Sequence, residues 1–217
     1  MKVLIVTLGY DEKFIVRALV RHSITENDEI IVLTSKPRDE KVNRALRSLQ
    51  DLTEKLLKYR PNIRILEVEV EEWPKAVAEI RNEIKRALDK TQNIIINLSG
   101  GMRALIMEAL IATLQSLRHL SELEIENELE NFKGVVRIPI EIFLEEPIKG
   151  GELELLRAIQ ELGNRATLTN LAMHLRRPKS TVHQRLKRLE ERGLITTIMV
   201  GRTKRIRLTK KAECWLY

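Results

Sequence analysis

Short unbroken apolar runs alternate with longer stretches of helical spacing through the first 117 residues. Val3-Leu4-Ile5-Val6-Thr7-Leu8 is almost continuously apolar, as a strand buried on both faces should be. Phe14, Ile15, Ala18 and Leu19 follow at helical spacing. Ile30-Ile31-Val32-Leu33 predicts a second strand, and Val42, Leu46, Leu49, Leu52 and Leu56 fall on one face of a helix over 38–58. Ile63 to Val68 predicts a third strand. Pro74 suits the first position of the next helix, continued by Val77, Ile80, Ile84 and Leu88. Ile94-Ile95-Ile96 is a fourth strand, and Ala104 to Leu117 a fourth helix. Around 122–130 and 135–144 the pattern predicts two more strands, paired as a hairpin with an antiparallel edge.

Strand-helix units of this length imply a mostly parallel sheet with helices on both faces, an α/β Rossmann-like domain over residues 1–148. Lys149-Gly150-Gly151 reads as a hinge, and the period then changes. Leu155, Leu156, Ile159 and Leu162 share one face of a helix ended by Gly163. Leu168, Leu171, Ala172 and Leu175 make a second helix, with Thr167 or Thr169 as candidate N-cap. "KSTVHQRLKRLEERGLI" gives a third, with Val182, Leu186 and Leu189 inward and Gly193 at its end. "TTIMVGRTKRIRLT" reads as two strands around a turn at Gly201-Arg202-Thr203. Three helices and a hairpin predict a winged helix-turn-helix over 149–217.

Charge sharpens this division. Residues 152–217 carry 15 Lys/Arg against 6 Asp/Glu, whereas the other residues carry 23 against 25. A basic third joined to a near-neutral remainder points to a nucleic-acid-binding module. A charge-rich surface of the hyperthermophile kind explains the total charge, though poorly its asymmetry. No run approaches 18 apolar residues, so no membrane span is expected. The start runs straight into a strand, so no secretory signal is expected and the location is read as cytoplasmic. The single Cys214 excludes an intrachain disulfide and a cysteine metal cluster. His22, His119, His174 and His183 are scattered, which gives metal catalysis no support.

On the third helix of the basic module, the face opposite the apolar stripe presents Ser180, Thr181, Gln184, Arg185 and Arg188, with Lys179 at its start. Hydroxyls, an amide and guanidinium groups there suit base edges and phosphates in a major groove. Arg202, Lys204, Arg205 and Arg207 on the hairpin suit phosphates or a minor groove. Aromatic residues are only 4% of the chain, leaving few platforms for unstacked RNA bases. A solvated cationic helix, or a winged helix that binds protein, are the alternatives.

In an open parallel sheet, ligands bind beyond the carboxyl ends of the strands, near the switch in strand order. Three polar turns are expected there: Thr7-Leu8-Gly9-Tyr10-Asp11, Thr34-Ser35-Lys36 and Leu98-Ser99-Gly100-Gly101-Met102-Arg103. Gly100 and Gly101 either bring backbone N–H groups close to a phosphate at a helix start or allow tight strand-helix packing. Arg103 and Lys36 can add charge-assisted contacts. Neither G-x-G-x-x-G nor G-x-x-x-x-G-K-[ST] is present, which disfavours dinucleotides and nucleoside triphosphates.

With "VTLGYDEKF" after the first strand, "NLSGGMRAL" after the fourth and a terminal basic module, the chain resembles the archaeal CRISPR-associated transcriptional regulators. These join a CRISPR-associated Rossmann-fold (CARF) sensor to a winged helix. The resemblance implies a homodimer that binds a cyclic oligoadenylate, usually the tetra-adenylate, across its two-fold axis. It places Thr7, Leu8, Gly9 and Tyr10 on one side of the pocket, and Ser99, Gly100, Gly101, Met102 and Arg103 on the other. Ser35 and Lys36 are added from the topology. The resemblance implies cyclic tetra-adenylate as the effector, with no further cofactor. It also implies double-stranded DNA, a CRISPR/cas promoter or repeat region, as a partner.

The expected function is therefore a ligand-responsive regulator rather than an enzyme. The resemblance also admits a ring nuclease, because some related sensors cut the ring they bind. Thr7, Ser99, Lys36 and Arg103 are the candidates for that chemistry. "LSGGM" is not G-x-S-x-G, so a conventional hydrolase is disfavoured. The third reading is an adaptor whose winged helix binds protein.

Overall fold

The computed structural model describes residues 1–59, 61–116, 123–131, 133–144, 146–201 and 203–216, with Leu144 and Asn164 described by backbone alone. The chain forms two compact units, Met1–Leu144 and Glu145–Tyr217. Among the described residues no helix is long and apolar enough to cross a membrane.

The first unit is α/β and Rossmann-like. Its strands are β1 (Val3–Thr7), β2 (Glu29–Ser35), β3 (Asn62–Val68), β4 (Ile94–Asn97), β5 (Glu124–Glu128) and β6 (Val135–Pro139). They form one sheet in the order β3-β2-β1-β4-β5-β6. Every neighbouring pair is parallel except β5 with β6. The helices are α1 (Lys13–Arg21), α2 (Glu40–Leu57), α3 (Trp73–Leu88) and α4 (Arg103–Ser116).

Side-chain alternation explains why the central strands are apolar throughout. Leu4, Val6, Ile30 and Val32 share a core with Ile15 and Leu19 of α1 and Leu46 and Leu49 of α2. Ile5, Ile31, Leu33 and Ile96 share the opposite core with Ile80 and Ile84 of α3 and Leu105 and Ala109 of α4. Both faces of the central strands are thus dry, and their apolar residues belong to one core or the other. α2 starts at Asp39, whose Oδ1 accepts from Val42 N at 2.8 Å. Pro74 lies in the first turn of α3, where its missing N–H costs nothing.

One expectation for this unit changes. The run 135–144 is a strand only to Pro139, and Ile140–Leu144 is a 3-10 turn whose Ile140 is fully buried. A short, largely apolar run of this kind reads alike as strand or helical turn, because periodicity does not distinguish them. The predicted end of the fourth helix at Leu117 lies outside the described residues, as does the start of the 122–130 run.

The second unit contains α5 (Gly150–Leu162), α6 (Leu168–His174), α7 (Lys179–Glu191), β7 (Ile195–Val200), β8 (Thr203–Leu208) and α8 (Lys210–Glu213). β7 and β8 form a two-stranded antiparallel sheet. Leu155, Leu156, Ile159, Leu171, Val182, Leu186, Leu189, Ile195 and Ile206 make its core. Thr167 Oγ1 accepts from Asn170 N and caps α6. Gly193 takes φ +67° just after α7, the left-handed conformation that ends helices. Gly150 and Gly151, read as part of a hinge, form the first turn of α5. A Cβ on Gly151 would sit 2.7 Å from the Arg185 guanidinium, so glycine there makes room for a side chain of α7.

Ile80 is fully buried and Leu56 is 55% exposed at the last turn of α2. Ile80→Ala is therefore expected to lower stability by about 2–5 kcal/mol, with Leu56→Ala within about 0.5 kcal/mol of wild type, read by urea denaturation.

Candidate functional site

The chain runs β1, β2, β3 in one direction across the sheet and then returns to place β4 on the other side of β1. The carboxyl ends of β1 and β4 therefore flank the crevice where strand order switches. Both turns there are glycine-bearing, and they meet backbone to backbone. A Cβ on Gly9 would lie 2.9 Å from the Cα and N of Gly101, and one on Gly100 would lie 3.0 Å from the Thr7 carbonyl oxygen. Gly101 has φ +101°, which side chains rarely adopt. What comes close to these glycines is the other turn, so packing explains them without a phosphate.

Beside this contact lies a cavity of about 250 Å³. Leu8, Gly9 and Tyr10 line it after β1, Ser35 and Pro37 after β2, Asp39 and Val42 at the start of α2, and Gly101 and Met102 before α4. Six of these positions were candidates; Pro37, Asp39 and Val42 were not. The N-cap chemistry of Asp39 is legible in the sequence, but its approach to the turn after β1 is a tertiary fact.

The remaining candidates are placed differently. Thr7 is only 1% exposed, with its side chain in the core. Ser99 Oγ accepts from Glu128 N at 2.8 Å, which ties its turn to β5. Gly100 is enclosed by the β1 turn. Lys36 Nζ lies 3.5 Å from Glu69 Oε1 and is more than half exposed. Arg103 is exposed as the first residue of α4.

At the cavity mouth Tyr10 is 63% exposed, and Lys41 Nζ lies 5.2 Å from its ring centroid. A hydrogen bond to the Asp39 carboxylate, then its charge, raises the Tyr10 hydroxyl pKa above the ordinary tyrosine value. Asp39 is correspondingly held low, first by its bond from Val42 N.

A buried ionic cluster braces the same end of the sheet. Glu126 and Glu128 of β5 are 2% and 4% exposed. Glu128 meets Arg17 Nη1 at 3.0 Å and Arg21 Nη1 at 3.2 Å. Glu126 bonds to His22 Nε2 at 2.9 Å and Arg137 Nε at 2.8 Å. Burial pushes the Glu126 carboxyl up, but His22, Arg137 and Arg21 outweigh it and hold it below the ordinary glutamate value. Among the described residues, no group of three or more His, Cys, Asp or Glu is arranged to hold a metal ion.

In the second unit, Lys179, Ser180, Gln184 and Arg188 are exposed on α7, as are His183 and Lys187. Lys187 completes the i, i+3, i+4, i+7 face begun by Ser180 and was not among the candidates. Thr181 and Arg185 flank the buried stripe instead. Arg185 is half-buried, donates from Nη1 to the Gly151 carbonyl at 3.1 Å, and lies 3.8 Å from Glu154. Lys204 and Arg207 are exposed on β8 and Arg205 is partly covered. Arg202 and His119 lie outside the described residues.

Fold and crevice together define a Rossmann-like domain with a cavity where strand order switches. Residues 2–139 match the model of the Csa3 CRISPR-associated Rossmann-like domain, and the chain belongs to that family. Residues 149–212 match a family model named HVO_A0114. No curated protein matches the sequence. Among solved structures, the chain is similar to Enterococcus italicus Csm6 bound to cyclic hexa-2'-fluoro-hexa-dAMP, with TM-score 0.50, 10% identity, and coverage of 89% of this chain and 55% of that one. It is also similar to Can2 from Sulfobacillus thermosulfidooxidans in complex with cyclic tetra-adenylate, with TM-score 0.45, 12% identity, and coverage of 93% and 55%. The chain thus spans about half the length of either. The Csm6 likeness, at that identity, shows the fold.

Gly101→Ala is expected to cost about 1–3 kcal/mol through its φ, whereas Gly134→Ala, with its nearest neighbour at 3.9 Å, should be close to neutral in thermal denaturation. Because the folded Glu126 pKa is depressed, its stabilisation is present above about pH 4.3 and is lost as pH falls through the lowered value. Glu126→Gln should lower the melting temperature at pH 7 and narrow the difference from wild type below pH ~4.

Proposed function

We propose that this chain is a homodimeric, ligand-responsive DNA-binding regulator of CRISPR-Cas loci, sensing cyclic tetra-adenylate through its Rossmann-like domain. One observation carries the reading: the turns after β1 and β4 converge on a cavity at the switch in strand order, in a chain of the CRISPR-associated Rossmann-like family. Cyclic adenylate rings are the ligands named for the Csm6 and Can2 structures.

The dimer reading is supported by α4. Leu105, Ala109 and Ala112 are buried, yet Met107 is 59% exposed, and Ile106, Leu110, Ile111 and Leu114 are only partly covered. A helix apolar all round is matched to burial on more than one side. A symmetric ring suits a site completed by a second copy about a two-fold axis.

The second unit is read as a winged helix-turn-helix, with α7 as recognition helix and the β7–β8 hairpin as wing. Exposed Ser180, Gln184, Lys187 and Arg188 suit a major groove, and Lys204 and Arg207 suit phosphates. The operator is a CRISPR/cas promoter or repeat region with half-sites about one helical turn apart, or a multiple. Ligand and DNA then change each other's affinity by the same factor.

The ring is held rather than cut. That part of the reading is supported by three of the four nuclease candidates: Thr7 is buried, Ser99 Oγ is engaged by β5, and Lys36 pairs with Glu69, while Arg103 is exposed.

Calorimetric titration with cyclic tetra-adenylate, against the linear tetra-adenylate, is expected to give one ring per dimer, recovered intact by chromatography. No heat overturns the sensor reading, and recovery of linear product makes the protein a nuclease. Binding to operator DNA should fall steeply with salt, and Lys204→Ala should reduce the slope of log K against log [salt] by about 1. A flat salt dependence would favour a protein-binding adaptor.

A further inference from the structure

The cavity beside the glycine contact carries a carboxylate where a phosphate site would carry a cation. Asp39 is the charged side chain among its lining residues, and like charges at that range repel. Of the cations beside it, Lys36 is directed toward Glu69 at 3.5 Å, and Lys41 lies over the Tyr10 ring, where its charge also acts on Asp39. The remaining lining is apolar or aromatic, with Tyr10, Leu8, Val42 and Met102 and the hydroxyl of Ser35. Flat apolar walls with a few directed polar atoms suit the faces and edge of an aromatic base.

We infer that this cavity holds an adenine of the ligand, with Asp39 accepting a hydrogen bond from its exocyclic 6-amino group and Tyr10 stacking on its face. Asp39 has one acceptor site to spare. A carboxylate offers about four lone-pair sites, and here Val42 N takes one at 2.8 Å, the Tyr10 hydroxyl another and Lys41 N a third. The 6-amino group of adenine is a donor, whereas the oxygen at that position in hypoxanthine is an acceptor and faces a carboxylate unfavourably. Asp39 thereby becomes a specificity-determining residue, and the phosphates lie outside the cavity. The inference rests on the cyclic oligoadenylate reading.

The test compares full-length wild type with cyclic tetra-adenylate and with the same ring bearing oxygen in place of each 6-amino group. Wild type is expected to prefer the adenine ring by roughly ten-fold or more, the scale of one hydrogen bond to a charged group. Asp39→Asn keeps an oxygen for the α2 cap while adding a donor, so it should fold and lose or reverse the preference. Tyr10→Ala should weaken both rings alike. Equal binding of the two rings by wild type, or an unchanged preference in Asp39→Asn, overturns the base assignment alone. Binding of neither ring by wild type overturns the sensor reading and this inference together.

Discussion

Burial of the sheet on both faces is the constraint on which the rest of the first unit depends. Val3 to Val6 and Ile30 to Leu33 are almost wholly enclosed, with alternate residues given to the α1–α2 and α3–α4 sides. Polar groups are excluded from the middle of such strands, because an unpaired one there loses its water without replacement. Ligand chemistry is left to the strand ends. The strand order then selects which ends matter, since only β1 and β4 leave in opposite directions and open a crevice between their turns.

That crevice is narrow because two backbones close it. Gly9, Gly100 and Gly101 allow the turns to touch, and the cavity opens to the side, toward Ser35 and Asp39. The second turn is also held from behind, through Ser99 to the Glu128 amide, while the Glu128 carboxylate is bound by Arg17 and Arg21 of α1. Buried charges of this kind are tolerated only when every partner is in place. Here the partners come from α1, β5 and β6, so the cluster ties the hairpin edge of the sheet to the helix that follows β1. The turns around the cavity are thus fixed to a frame of helix and sheet rather than left as free loops.

In the second unit the same logic runs through one helix. Val182, Leu186 and Leu189 bury one stripe of α7. Arg185, three residues from Val182 and four from Leu189, lies at the edge of that stripe and folds back onto the first turn of α5. The glycine at 151 makes that contact possible, so a side chain with the chemistry of a DNA contact acts between helices. The cations left to the solvent are those centred opposite the stripe.

The sequence by itself determined the order of the eight strands and of the helices α1 to α7, though not the 140–144 turn or α8, and the three turns on which a site can be built. Continuous apolar strands, helical spacing and glycines at element ends are local signals, written within a few residues of what they specify. It did not determine what the glycines touch, that Asp39 enters the cavity, or that Arg185 turns inward. Those are distances between segments far apart in the chain: Gly9 to Gly101, Tyr10 to Asp39, Gly151 to Arg185. A local pattern carries a residue's preference for burial but not the identity of its neighbour. Only the packed sheet and helices bring those neighbours together.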